Sequence, residues 1–348
     1  MLKSLQAGRG LAALAVAGFH LTGLYALLPS MRGSIFAAAF RHGNTGVDFF
    51  FVLSGFIIML AHGKDIGQPS RLRSYIRNRI VRVYPIYWFY TAVVVLAAVA
   101  GISAIGLPAN THGWFSAFSL VRTSGDRPPL SVAWTLFYEV AFYGIFGVLV
   151  ASRKTGLVVM AIWLAAIAIV HARLGENSVA GVWVSLVCLN FFLGIAACWA
   201  HTRMNRPTAW VSLIGGVVAL GTALAMADRG LSPAILGSSV ALSCGFAIAG
   251  AASLERGRNW VLGPAAALGN ASYTLYLVHV HFQSPLLKAM LRIPFVTRLN
   301  PDVIFAFVLG VTALVSYGLY LGVEKPLVQA LRRAGAPRLT STALTQAG

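Results

Sequence analysis

This sequence predicts an all-α fold: a polytopic membrane bundle of about ten transmembrane helices with both termini in the cytoplasm. Three observations carry that prediction. The 348 residues are 58% hydrophobic and only 10% charged, with a mean hydropathy of +0.76, a balance typical of polytopic membrane proteins and not of soluble globules. Apolar runs of bilayer length recur along the chain. The basic residues are biased toward alternate connections between those runs.

The first run, 9–28, follows Lys3 and contains Ala15 and Ala17, which together imitate a secretory signal peptide. Arg9 stands late for a basic leader, and the next connection leads directly into a second apolar run, so a retained helix is expected. Further spans are drawn at 46–62, 83–101, 132–150, 156–171, 179–200, 208–227, 232–254, 265–287 and 303–323. The runs 156–171 and 208–227 are the weakest, being short or glycine-rich. The connections on the side of the termini hold twice as many of the 27 Lys and Arg as the opposite set, which puts both termini in the cytoplasm. Residues 1–330 read as one domain, and 331–348 as a basic, disordered tail.

The net charge of +18 would suggest nucleic acid in a soluble protein; here topology explains most of it, and no nucleic-acid partner is expected. Cys188, Cys198 and Cys244 all fall inside apolar runs. They read as small buried hydrophobes and not as a disulfide or metal framework.

Polar residues inside the runs are the next signal. Arg9 and His20 are eleven residues apart, about 16 Å along a helix, so Arg9 lies near one face of the bilayer and His20 past its middle. Asp48, Glu139 and His279 fall by the same reckoning in the outer half of the membrane with His20. Ionisable groups at such depth face a bundle interior or water, and a shared depth suggests a shared cavity. The bland alternative for each is an interhelical hydrogen bond, or for Asp48 a cap on the N-terminus of its helix.

The inner side has its own cluster. Residues 71–88 carry Arg71, Arg73, Arg77, Arg79 and Arg82. On a helix, Arg79 and Arg82 share one face and Arg73 and Arg77 a neighbouring one. Guanidinium groups bind phosphate bidentately and stay charged, so the cluster suits a phosphate ligand; simple positive-inside anchoring or anionic lipid is the alternative. A basic inner site and an ionisable cluster roughly 15–20 Å further out would be spanned by a polyphosphate head with a long arm and a reactive end. Coenzyme A thioesters have that shape.

Several motifs then coincide. Arg9 and His20 form an arginine, ten residues, histidine signature. Gly46, Asp48, Phe49, Phe50, Ser54 and Gly55 form a second-helix motif, and Arg79, Arg82, Tyr84 and Pro85 a basic stretch ending in Tyr-Pro. Trp134, Glu139, Phe142 and Tyr143 form a fourth-helix motif. Ser272, Tyr273, Leu275, Tyr276, Leu277 and His279 come near the end, before Glu324, Lys325 and Pro326. In order and spread the chain resembles the acyltransferase-3 family of integral membrane acyltransferases, especially its exopolysaccharide acetyltransferases of the ExoZ type. It departs at Phe137 and Tyr138, where many members have smaller residues, and no soluble domain is expected after the tail.

The resemblance implies transfer of an acyl group, most often acetyl, from coenzyme A to a carbohydrate hydroxyl, in a multi-pass protein of the bacterial inner membrane. On that reading His20 is the general base. Asp48 or Glu139 would orient it, with Asp48 preferred because a loop keeps the first two helices adjacent. Arg9, Arg73, Arg77, Arg79 and Arg82 would meet acyl-CoA phosphates. Ser54, Tyr276 and His279 would line the acceptor or acyl site, with helix packing the stronger reading for Ser54. The expected partners are acyl-CoA, a carbohydrate acceptor and membrane lipid; self-association is left open, and no metal is expected. The rival class is a proton-coupled transporter or flippase, whose inverted repeats and paired broken helices are not visible here.

Overall fold

A chain segment without water around it must satisfy its own backbone, so long apolar runs take the helical form. The computed structural model describes residues 2–102, 105–170, 179–255 and 263–334, and these form fifteen α-helices and no strand. They are α1 (Lys3–Ala26), α2 (Ile35–Ala39), α3 (Gly46–His62), α4 (Pro69–Val99), α5 (Thr111–Ser119), α6 (Trp134–Ala151), α7 (Arg153–Val170) and α8 (Gly181–Val184). After them come α9 (Leu189–His201), α10 (Arg206–Ala227), α11 (Pro233–Glu255), α12 (Gly263–Asn270), α13 (Ser272–Met290), α14 (Pro301–Leu319) and α15 (Lys325–Ala334). Several starts follow from local chemistry. Asn110, Asn205 and Asn300 each accept a backbone N–H of the first turn, and Pro69 and Pro301 occupy first-turn positions where no N–H is needed.

Each of the ten drawn spans contains a helix, and seven helices among the described residues are long and apolar enough to cross a membrane. The helix α9, within Leu186–His201, is apolar but shorter. Arg9 and His20 lower the hydropathy of α1, and His279, His281 and Gln283 that of α13. Four boundaries differ from those expected. The basic stretch 71–82 is not a loop: it forms the first turns of α4, one 31-residue helix that continues through Pro85. The run 179–200 is broken at Ser185, whose backbone is extended (ψ 144°) and whose hydroxyl accepts the Val187 N–H to restart the chain. The run 265–287 is broken at Ala271, between α12 and α13. Residues 331–334, read as the start of the tail, belong to α15. The rest of the tail, 335–348, residue 171 of the fifth span and most of the 255–264 connection lie outside the described residues.

Helix α1 runs through the bundle against α3, α11, α12, α13 and α14. Its first turn is capped by Glu255 at the end of α11, which accepts the backbone N–H of Lys3 (2.5 Å) and Ser4 (2.8 Å). A carboxylate there satisfies orphan donors and complements the helix dipole. Aromatic rings fill the core between α3, α6 and α9, where Phe142 stacks on Phe191 with centroids 4.4 Å apart and Phe51 meets Phe191 edge-on. All three cysteines are buried and free.

The crossing of α3 and α9 rests on Gly55 and Gly194. A Cβ on Gly55 would collide with the Phe191 carbonyl, and one on Gly194 with the Val52 carbonyl, so the two backbones are in contact, as small residues permit between membrane helices. Substituting Gly194→Leu is expected to cost about 1–3 kcal/mol or more through overpacking, read as a lowered midpoint of thermal unfolding in detergent. A wild-type midpoint would show that the crossing is looser than described.

Candidate active site

The start of α1, the end of α3, the first turns of α4, the α12–α13 junction and α15 meet at one end of the bundle, around a cavity of about 970 Å³ that extends inward between α3, α6 and α13. Six basic side chains line it, Arg9, Arg77, Arg79, Arg82, Lys325 and Arg332, against two carboxylates, Glu139 and Glu324. Its surplus of positive charge is concentrated where α4 and α15 close the mouth.

The arginines are held in different ways. Arg82 Nη1 donates to Glu324 Oε1 at 3.1 Å, and its guanidinium sits 5.4 Å from the centroid of the Tyr273 ring. The other Glu324 oxygen accepts from Thr274 Oγ1 at 2.7 Å. Glu324 ends a π-helical segment, Tyr320–Glu324, that joins α14 to α15 and turns the carboxylate into the interior, where it is 2% exposed. Arg79 instead lies 5.7 Å from the Tyr143 ring centroid, with Nη2 3.5 Å from His62 Nε2. Asp65 holds the other ring nitrogen of His62 at 2.8 Å. No carboxylate pairs with Arg79 among the described residues.

Arg77 Nη2 donates to the carbonyls of Leu331 and Arg332 at the end of α15. Arg9 shares the electrostatic field of Arg82, Glu324 and Glu139. Arg73 is not on the cavity wall; it lies on a separate groove of α4 with Leu72, Ile76 and Ile80. Arg71 is exposed, 4.0 Å from Asp65.

Deeper in, Glu139 accepts hydrogen bonds from Ser54 Oγ (3.1 Å) and from the Tyr143 hydroxyl one turn along α6. Tyr276 donates to the Val132 carbonyl at 3.1 Å and lies 2.9 Å from Thr135 Oγ1. Its ring touches Phe50 on one side and His279 on the other, with centroids 5.9 and 6.0 Å away. His279 is fully buried, and its Nδ1 is 3.0 Å from the Leu275 carbonyl. That bond sets the tautomer with hydrogen on Nδ1 and leaves Nε2 as an acceptor. The His20 ring faces it at 5.0 Å. Neither histidine lines the cavity; Tyr276 and Phe50 do, and Tyr276 is also in contact with His279.

Among the residues singled out from sequence, Arg9, Arg77, Arg79, Arg82, Ser54, Glu139 and Tyr276 therefore meet in one cavity, and His20 and His279 meet each other. Asp48 does not join them. Its carboxylate accepts from Asn190 Nδ2 of α9 at 2.8 Å, and no hydrogen bond links it to His20 among the described residues. Two features went unread in the sequence: the Glu324 counter-charge to Arg82, and the basic wall of α15. Glu324 is one of only nine acidic residues in the chain, and it lies one residue past the last drawn span, where depth within an apolar run does not single it out.

Residues 2–321 match the family model for an acyltransferase domain, Acyl_transf_3. The chain belongs to the acyltransferase-3 family. This acyltransferase is also 31% identical over 315 residues to the exopolysaccharide production protein ExoZ of Rhizobium meliloti (strain 1021), a match covering 87% of this chain and 94% of that protein. No solved structure matches.

In this acyltransferase the Arg82–Glu324 pair, with the carboxylate buried and the guanidinium half-buried, should behave as a unit. Breaking a buried pair leaves an uncompensated charge and costs about 3–5 kcal/mol, whereas replacing both members by apolar groups can be nearly neutral. Glu324→Gln is therefore expected to lower the unfolding midpoint in detergent by more than the double variant Arg82→Met with Glu324→Leu does. A double variant as damaged as the sum of its single variants would mean that the two side chains do not depend on each other.

Proposed function

We propose that this protein is a membrane O-acyltransferase that moves an acyl group, most often acetyl, from cytoplasmic acyl-CoA to a hydroxyl of an exported or cell-surface polysaccharide or its lipid-linked precursor. In the same reading the bundle crosses the bacterial inner membrane ten times with both termini in the cytoplasm. The observation that carries the proposal is the cavity, with basic side chains in surplus at its mouth and a hydroxyl–carboxylate cluster, Ser54, Glu139 and Tyr143, further in. A diphosphate and a phosphomonoester, the latter carrying about −1.5 to −2 charge at pH 7, suit the mouth. A pantetheine arm suits the narrower interior.

The chemistry needs one proton moved twice. The acceptor hydroxyl oxygen attacks the thioester carbonyl, a C–O bond forms and the C–S bond breaks. His20 takes the hydroxyl proton as the bond forms and returns it to the departing thiolate. His279, ring to ring with His20, is the group that senses the charge on it. The Ser54 hydroxyl, released from Glu139, or the Tyr276 hydroxyl, released from the Val132 carbonyl, would donate to the thioester oxygen. For the acyl carbon to meet His20, the Tyr276 side chain, which lines the cavity and contacts His279, would turn aside. The exopolysaccharide acceptor follows from the relative's name and from the family.

Two substitutions test the assignments. His20→Ala should abolish acetyl transfer, followed as an acetyl mass on the cell's polysaccharide, while the protein stays in the membrane at normal amount; retained transfer would remove His20 from the mechanism. Arg79→Ala should raise the apparent KM for acetyl-CoA about tenfold or more, the scale of one or two charge-assisted hydrogen bonds, with little change for the acceptor. An effect confined to the acceptor would assign Arg79 elsewhere.

A further inference from the structure

Positive charge stands at two levels along the cavity wall. The inner level is Arg79 and Arg82 on α4 with Arg9 on α1. The outer level is Arg77, Lys325 and Arg332 at the mouth. Arg77 precedes Arg82 by five residues on one helix, about 7–8 Å by rise, and Arg332 follows Glu324 by eight, about 12 Å.

The outer level is a built feature of the fold. The end of α15 carries orphan carbonyls and partial negative charge that would oppose an anion. Arg77 takes two of those carbonyls, Leu331 at 3.0 Å and Arg332 at 3.2 Å, which fixes α15 across the mouth and offsets its field. A guanidinium has five N–H donors, so Arg77 keeps others for a ligand. Lys325, Gln329 and Arg332 recur at spacings of four and three, so they share one face of α15, and that face lines the cavity. Unlike Arg82, none of the three outer cations is in an ion pair among the described residues.

We propose that Arg77, Lys325 and Arg332, with Gln329, form a second anion subsite at the mouth, and that it takes the ribose 3′-phosphate of the coenzyme A donor while the inner level takes the diphosphate. The inference rests on the acyl-CoA reading of the cavity. A phosphomonoester is the most highly charged group on that donor and is held apart from the diphosphate by the ribose. Two forks and an ammonium around one pole of the cavity match it.

The test is equilibrium binding of acetyl-CoA and of 3′-dephospho-acetyl-CoA to the full-length protein in detergent, for the wild type, Arg332→Gln and Arg77→Gln. The wild type should bind acetyl-CoA about tenfold tighter than the shortened donor, the scale of one to two charge-assisted contacts. Arg332→Gln should erase most of that preference by weakening acetyl-CoA alone. Because Arg77 also anchors α15, Arg77→Gln can loosen the mouth for both donors, and Arg332→Gln decides. Equal affinities in the wild type, or equal weakening of both donors by Arg332→Gln, would remove the subsite and leave the acyl-CoA reading standing. A wild type that binds neither donor would remove both.

Discussion

A carboxylate buried in an apolar helix bundle needs a counter-charge, and the Arg82–Glu324 contact is how this chain meets that constraint for Glu324. The pair ties α4 to the π-helical join of α14 and α15, and Thr274 ties the same carboxylate to α13. Tyr273 closes the arrangement, lying under the Arg82 guanidinium while its hydroxyl donates to the Val83 carbonyl at 2.9 Å. An irregular π turn inside a helix is costly and commonly sits at functional sites; here it is the element that brings Glu324 inward.

That constraint divides the arginines. Arg82 has its charge met within the protein, whereas Arg79 stacks on Tyr143 and lies 3.5 Å from His62 Nε2, with no carboxylate partner among the described residues. Two arginines on one face of one helix thus differ in what they can offer an anion: one is largely neutralised, the other is available. The same logic reaches α15, whose basic face owes its position to Arg77 holding the helix end.

The interior is layered along the path from mouth to histidines. Charge gives way to the Ser54–Glu139–Tyr143 cluster, then to the Tyr276 and Phe50 rings, then to His20 and His279. Tyr276 lies against the fully buried His279, whereas His20 is half-buried. Spacing along the helices predicts one shared cavity for His20 and the carboxylates. In the fold His20 faces His279, and Asp48 serves α9 through Asn190.

Much of the fold was legible because apolar length and charge asymmetry act locally: the drawn spans contain helices, and the arginine faces of α4 follow from spacing alone. The breaks at Ser185 and Ala271 were not, since hydropathy averages over Ser185 and over Gly269, Asn270 and Ser272 and is blind to backbone conformation. By itself the sequence determined a helical membrane protein of the acyltransferase-3 type and the residue types its chemistry uses. Only the tertiary structure decided which partner each ionisable group has, that Glu324 answers Arg82 across 242 positions of chain, and that Tyr276 contacts His279. Depth along a helix is a one-dimensional quantity that spacing supplies, whereas rotation about the axis and the choice of neighbouring helix are set by packing between segments far apart in the chain.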